Sequence, residues 1–148
     1  MNVEEIIKTD KKIPLESRTI IHFFLVNNKI NEMISSALKD FDISMQQFNV
    51  LRILRGQKGK PANLSTLNER MVTKMSNTTR LVDKLILKGY ADRIVCPSNR
   101  RKVEIRITEE GSSALELMDV SLKAAEKEIL KNLSTEELEQ LNKLLDKF

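Results

Sequence analysis

Between two long tracts with a helical repeat, one short stretch changes period. Residues 102–108 alternate strictly, with Val103, Ile105 and Ile107 on one side and Lys102, Glu104 and Arg106 on the other. Residues 91–96 just upstream carry the β-branched Ile94 and Val95, and Pro97-Ser98-Asn99-Arg100-Arg101 between the two runs supplies a turn. Together they predict a single β-hairpin with a basic tip. With only 4 Gly and 3 Pro in 148 residues, too few positions remain to punctuate a loop-rich barrel. The expected fold is mainly α with one small hairpin.

The helical tracts can be ordered. No Gly or Pro interrupts residues 15–55, where Phe23, Val26, Ile30, Met33, Ile34, Ala37, Leu38 and Phe41 recur at spacings of three and four. A break falls at residues 40–44, and Ser44 with Gln47 forms a capping-box signature for a helix bearing Phe48, Leu51 and Leu54. That helix ends at Gly56, and residues 56–61 read as a loop. A short helix follows over residues 65–72, with Leu64, Leu67 and Met71 on one face. Thr73 is placed to cap the next helix, which runs to Lys88 and stops at Gly89. Its inward face holds Thr78, Leu81, Val82 and Leu85; its outward face holds Ser76, Arg80 and Asp83, flanked by Asn77, Thr79 and Lys84. After the hairpin, Thr108 caps a long helix with the seam Leu115, Met118, Leu122, Ala125 and Ile129. Ser134 and Glu137 open another, striped by Leu138, Leu141, Leu145 and Phe148. Nothing else in the chain obviously covers both stripes. Residues 1–14 are mixed in character, and partial order is expected there.

Charge is unevenly spread. The net charge is +4, yet residues 1–51 sum to −1, residues 52–107 to +10 and residues 108–148 to −5. A basic centre between acidic flanks points to a polyanion partner for the middle segment. No apolar run approaches the roughly 20 residues of a membrane span, and the amino terminus lacks a secretory signal pattern. A single Cys, Cys96, and a single His, His22, exclude an internal disulfide and argue against a zinc site. A reducing cytoplasm is the expected compartment. There is no nucleophile–base signature, phosphate-binding Gly loop or ligand cluster, so neither catalysis nor a cofactor is expected.

Two short helices joined by a tight turn and followed by a hairpin form a helix-turn-helix with a wing. Short polar side chains and Arg80 near the start of the second helix suit base edges in a major groove. Arg100, Arg101 and Lys102 on the hairpin tip suit an adjacent minor groove or phosphates. Asp83 reads as an ion-pair partner for Arg80 or Lys84 rather than a base reader. At this point LSTLNERM (64–71), SNTTRLVDKLILKGYADR (76–93) and PSNRRKVEIRITEEG (97–111) resemble the multiple-antibiotic-resistance regulator (MarR) family of bacterial transcription factors. The flanking helices are similar in layout too.

The resemblance implies a homodimeric winged-helix repressor on a palindromic operator, often relieved by a small anionic or phenolic ligand. It implies a winged helix-turn-helix domain over residues 44–108 and dimerisation helices over residues 15–40 and 109–148. Arg80 falls where the family places a major-groove arginine, with Ser76, Asn77 and Thr79 at variable base-reading positions and Lys84 beside them. Arg101 matches the arginine of the family's Asp-x-Arg wing motif, but Asn99 stands in the aspartate position and offers only a neutral hydrogen bond. Arg100 and Lys102 complete the wing. Gly111 matches a glycine whose helix passes close to another backbone. His22 lies in the helix that often lines the family's ligand pocket, and an ordinary surface histidine competes with that role. Cys96 reads as a packed or idle thiol. Competing with the regulator is an architectural DNA protein with little sequence preference. A winged helix used on another protein is a third possibility, opposed by the basic centre.

Overall fold

The computed structural model describes residues 2–72, 77–95 and 103–148. Helix α1 (Val3–Ile6) precedes the long α2 (Leu15–Leu38), which runs into a 3-10 turn at Lys39–Phe41. Next come α3 (Met45–Gly56), α4 (Leu64–Arg70), α5 (Thr78–Leu87), strands β1 (Ala91–Val95) and β2 (Val103–Ile107), then α6 (Glu109–Leu130) and α7 (Thr135–Leu145). Among the described residues the two strands form one antiparallel sheet.

Local chemistry sets most boundaries. Asp42 adopts the left-handed conformation (φ 50°), which ends the 3-10 turn and frees Ser44 to cap α3. Both halves of the Ser44–Gln47 capping box are formed, as are both halves of the Ser134–Glu137 box on α7. Asn63 caps α4, so that helix begins at Leu64 and ends at Arg70, a little earlier than the apolar spacing suggests. The amino-terminal stretch is better ordered than its composition predicts. Asn2 caps α1, Val3 is fully buried, and Glu4 accepts two hydrogen bonds from Arg18 of α2, at 2.7 and 3.1 Å.

One continuous core joins the elements. Leu38 of α2, Phe48, Leu51 and Leu54 of α3, Leu67 of α4, Val82 and Leu85 of α5, Ile105 of β2, and Leu115, Met118 and Leu122 of α6 are buried together. Burial of each such side chain contributes roughly 1.5–3 kcal/mol. The alternation of β2 is realised, with Ile105 fully buried and Val103 and Ile107 packed against the core. Ala91 pairs with Ile107, and Arg93 with Ile105. The loop before α4 joins the same sheet: Ala62 and Ile105 exchange both backbone hydrogen bonds, at 2.9 and 2.7 Å. This bridge holds the hairpin against the helix pair α4–α5.

Helix α7 differs. It buries no residue, and Leu141, Leu144 and Leu145 are exposed, as are Leu15, Ile20 and Phe24 of α2 and Leu117 and Val120 of α6. Phe148 meets Phe23 of α2 edge-on, with ring centroids 5.6 Å apart.

Candidate nucleic-acid interface

Helix α5 is held to the rest of the domain at each end and in its middle. At its start, Thr78 is only 3% exposed and its hydroxyl donates to the side-chain oxygen of Asn68 on α4. That bond sets how the two short helices meet. In the middle, Asp83 accepts from Arg93 of β1 at 2.6 Å, tying the helix to the hairpin. This corrects the expectation that Asp83 pairs with Arg80 or Lys84. Arg93 shares a strand face with buried Ala91, and a guanidinium there reaches an ion-pair partner rather than entering the core. At the end, Gly89 takes φ +74°. Its N–H donates to the Ile86 carbonyl and that of Tyr90 to the Leu85 carbonyl, each at 2.9 Å. This is a Schellman stop, and it turns the chain directly into β1.

With those contacts made, α5 presents Thr79, Arg80 and Lys84 exposed on its outer side. The helix begins at Thr78, later than a cap at Thr73 predicts; Thr73 itself lies outside the described residues. Asn77 therefore stands at the N-cap, half-buried, just ahead of the helix rather than within it. Ser76, and the wing residues Asn99, Arg100, Arg101 and Lys102, also lie outside the described residues, as does Cys96. The two strands that carry the wing are described and paired from Ala91–Ile107 to Val95–Val103.

The hairpin's outlet is fastened to α6. Thr108 accepts from the Gly111 N–H at 2.9 Å, and its hydroxyl donates to the Gly89 carbonyl at 2.6 Å. Gly111 passes so close to the Tyr90 backbone that a Cβ would lie 2.1 Å from its carbonyl oxygen. The close approach expected at this glycine is present.

His22 is half-buried on α2. The Glu4 carboxyl is held below the usual glutamate range, first by its hydrogen bond from Arg18, with His22 adding the smallest share. None of the cavities described here is lined by His22. One, between α2, α3 and α6, is lined by Ile34, Met45, Phe48, Arg52, Asp119, Leu122, Lys123 and Glu126. Arg55 of α3 bonds Asp119 of α6 at 2.6 Å, and Arg52 stacks over Phe48 at 5.7 Å. Among the described residues no group of three or more His, Cys, Asp or Glu side chains could hold a metal ion. No helix among them is long and apolar enough to cross a membrane.

A helix pair ending in α5, bridged to a two-stranded hairpin and framed by long helices, defines a winged helix-turn-helix protein. The MarR family model matches residues 43–103. The multiple antibiotic resistance protein MarR of Escherichia coli is 28% identical over 130 residues, 86% of this chain and 87% of that protein. A crystal structure of a putative MarR-like transcription regulator from Bacillus cereus superposes with a TM-score of 0.79 at 26% identity, covering 90% of this chain and 96% of the other. A mutant of E. coli MarR complexed with operator DNA gives 0.75 at 25% identity, covering 99% and 98%. The chain thus carries a MarR family-model domain, and its relatives and structural neighbours are MarR-family transcription regulators rather than enzymes.

Proposed function

We propose that this regulator is a homodimer that binds a palindromic operator in double-stranded DNA and represses transcription by occupying it. The observation that carries the reading is the outer side of α5. The contacts made by Thr78 and Asp83 leave Thr79, Arg80 and Lys84 exposed beside a hairpin whose tip is rich in arginine. Arg80 reads guanine in the major groove, with Thr79, Asn77 and Ser76 meeting neighbouring base edges and Lys84 a phosphate. The wing, Asn99 to Lys102, adds backbone and minor-groove contacts through Arg100, Arg101 and Lys102. The domain over residues 44–108 does the binding. The helices over residues 15–40 and 109–148 dimerise it, with the exposed apolar side chains of α2, α6 and α7 as the mutual surface. The protein works in the cytoplasm. A small anionic or phenolic effector relieves repression, and His22 is a candidate contact for it.

Selection of bound duplexes from a random pool at physiological salt tests the proposal. Enrichment of an inverted repeat with half-sites about one DNA turn apart supports it. Equal retention of unrelated sequences instead favours an architectural protein.

A further inference from the structure

The winged unit of residues 44–108 is joined to the long helices through two chain junctions. At one, Asp42 takes a left-handed φ of 50° and leads into the Ser44 cap of α3. At the other, Thr108 caps α6 and Gly111 lies against the Tyr90 backbone. Two junctions define an axis and leave rotation about it open. Lys88 bonds Asp42 at 2.8 Å, which ties the end of α5 to the first junction and so does not stop that rotation. Helix α3 meets α6 through the shared apolar core that includes Phe48, Leu51, Met118 and Leu122. Apolar burial favours contact but is non-directional. Arg55 supplies the directional bond. Its Nη1 donates to the Asp119 carboxylate at 2.6 Å, and the two side chains are 40% and 27% exposed. Arg55 stands roughly 16 Å along α3 from Ser44, and Asp119 roughly 12 Å along α6 from Gly111, so the bond lies away from both junctions. Among the described residues it is the one arginine–carboxylate pair that joins the winged unit to α2, α6 or α7.

We propose that Arg55 and Asp119 are positioning residues that set the half-site spacing at which the dimer binds, a role that rests on the operator reading given above. They act by placing α5 and do not touch DNA. Lys88 holds one end of α5 at the first junction, and Arg80 stands roughly 12 Å along the helix from it. Turning the winged unit about the axis therefore moves Arg80 and Arg55 by comparable amounts. Lengthening an operator by one base pair adds about 3.4 Å, or about 1.7 Å for each subunit. A shift of that size at Arg55 takes the 2.6 Å bond beyond hydrogen-bond range. A dimer that follows the longer operator breaks the bond in both subunits, and a dimer that keeps both bonds misplaces Arg80. Sequence within a half-site is then read at α5 and the wing, and spacing through α3 and α6.

The test has two arms. In the first, fluorescence anisotropy compares the selected inverted repeat with the same repeat lengthened or shortened by one base pair. The parent is expected to lose on the order of tenfold for either change, because two bonds are strained at once. Asp119→Asn and Arg55→Gln should each narrow that loss to within about threefold, with the order of preference among half-site sequences unchanged. Reversing the pair, Arg55→Asp with Asp119→Arg, should restore the parent's spacing preference. The second arm needs no DNA. Nitroxides on Thr79→Cys of α5 and Lys127→Cys of α6, both exposed positions, are placed in a Cys96→Ser chain diluted with unlabelled protein, and electron–electron resonance gives the α5–α6 distance. The distribution should be narrow in the parent, broader with Asp119→Asn and narrow again with the reversed pair. An unchanged distribution in Asp119→Asn, a spacing loss as steep as the parent's, or a parent indifferent to spacing would each overturn the proposal. So would an affinity loss equal at all three spacings, which would make the pair merely structural. If no inverted repeat is selected while the distribution broadens and recovers, the spacing role falls with the operator reading and the tie between the winged unit and α6 stands.

Discussion

Replacing Gly111 by alanine isolates the contact that fastens the hairpin to α6. The added Cβ would lie 2.1 Å from the Tyr90 carbonyl oxygen, 2.8 Å from its carbon and 2.9 Å from its Cα, where real contacts essentially never fall below 3.0 Å. The obstacle is backbone, so α6 must recede by about 1 Å from a closely packed neighbour. Receding strains the Thr108 hydroxyl, which bonds the Gly111 N–H and the Gly89 carbonyl at once. Overpacking of this kind costs about 1–3 kcal/mol or more, against about 1 kcal/mol regained from helix propensity and chain entropy. The net is a loss of up to about 2 kcal/mol, or up to roughly 8 °C in Tm at fixed protein concentration. Gly56→Ala is the matched control. Gly56 closes α3 with nothing within 4 Å of a new Cβ, so the same change should raise stability by about 0.4–1 kcal/mol. Because Tyr90 leads into β1, Gly111→Ala should also weaken DNA binding, while Gly56→Ala leaves it unchanged. Thermal melts of both variants decide the matter: a Gly111→Ala chain as stable as Gly56→Ala would refute the close approach and the packing argument built on it.

DNA affinity should fall steeply with salt, with a log–log slope near −0.9 per phosphate and about 6–10 phosphates neutralised per dimer; a flat response in fluorescence anisotropy would contradict operator binding. Arg80→Ala should cost about 1–3 kcal/mol per half-site and relax selection at particular base pairs, so an unchanged selected sequence would exclude it as a base reader. Leu141→Asp with Leu145→Asp alters side chains that a lone chain leaves 39% and 42% exposed, so a monomeric fold would tolerate the pair. A dimer that buries them should instead dissociate or unfold, as sedimentation equilibrium would report. Lowering pH should release α1 from α2. The Glu4 carboxyl is held low chiefly by Arg18, so its stabilisation is complete above the ordinary glutamate value and is lost as pH falls through its depressed one. Glu4→Gln should remove that pH dependence from amide exchange at Val3.

The features legible in the sequence were those decided by residues close together along the chain. Ser44–Gln47, Ser134–Glu137 and Thr108 each cap a helix through partners three residues on, and each bond is formed. Strict alternation likewise placed Ile105 in the core. Long-range pairings were less legible. Ala62 joins the hairpin through backbone groups that no side chain advertises. Arg93 finds Asp83 ten residues away across the turn at Gly89. A signal did exist there, because a two-residue period puts Arg93 on the face of Ala91, and a charge on an inward face calls for a partner. The start of α1 was missed for a related reason: Glu4 is secured by Arg18, fourteen residues on, and composition near a terminus does not reveal such a tie.

The candidate site illustrates how far elimination narrows a polar helix. Helix α5 and its N-cap offer Asn77, Thr78, Thr79, Arg80, Asp83 and Lys84 as polar side chains, and a wheel alone cannot say which serve the fold. Thr78 is committed to Asn68, because a buried hydroxyl at a helix junction needs its bond. Asp83 is committed to Arg93, which fixes where the hairpin stands beside the helix. Those two assignments also explain why neither residue is suited to read bases: one faces inward, and the other carries negative charge already matched by a guanidinium. What is left on the outer side is Thr79, Arg80 and Lys84, two of them cationic, at the start and toward the end of a helix held at both ends. A rigid helix that spends its acid on the hairpin and turns its cations outward suits the operator binding proposed above, because choosing among DNA sequences requires meeting the polyanion in one orientation.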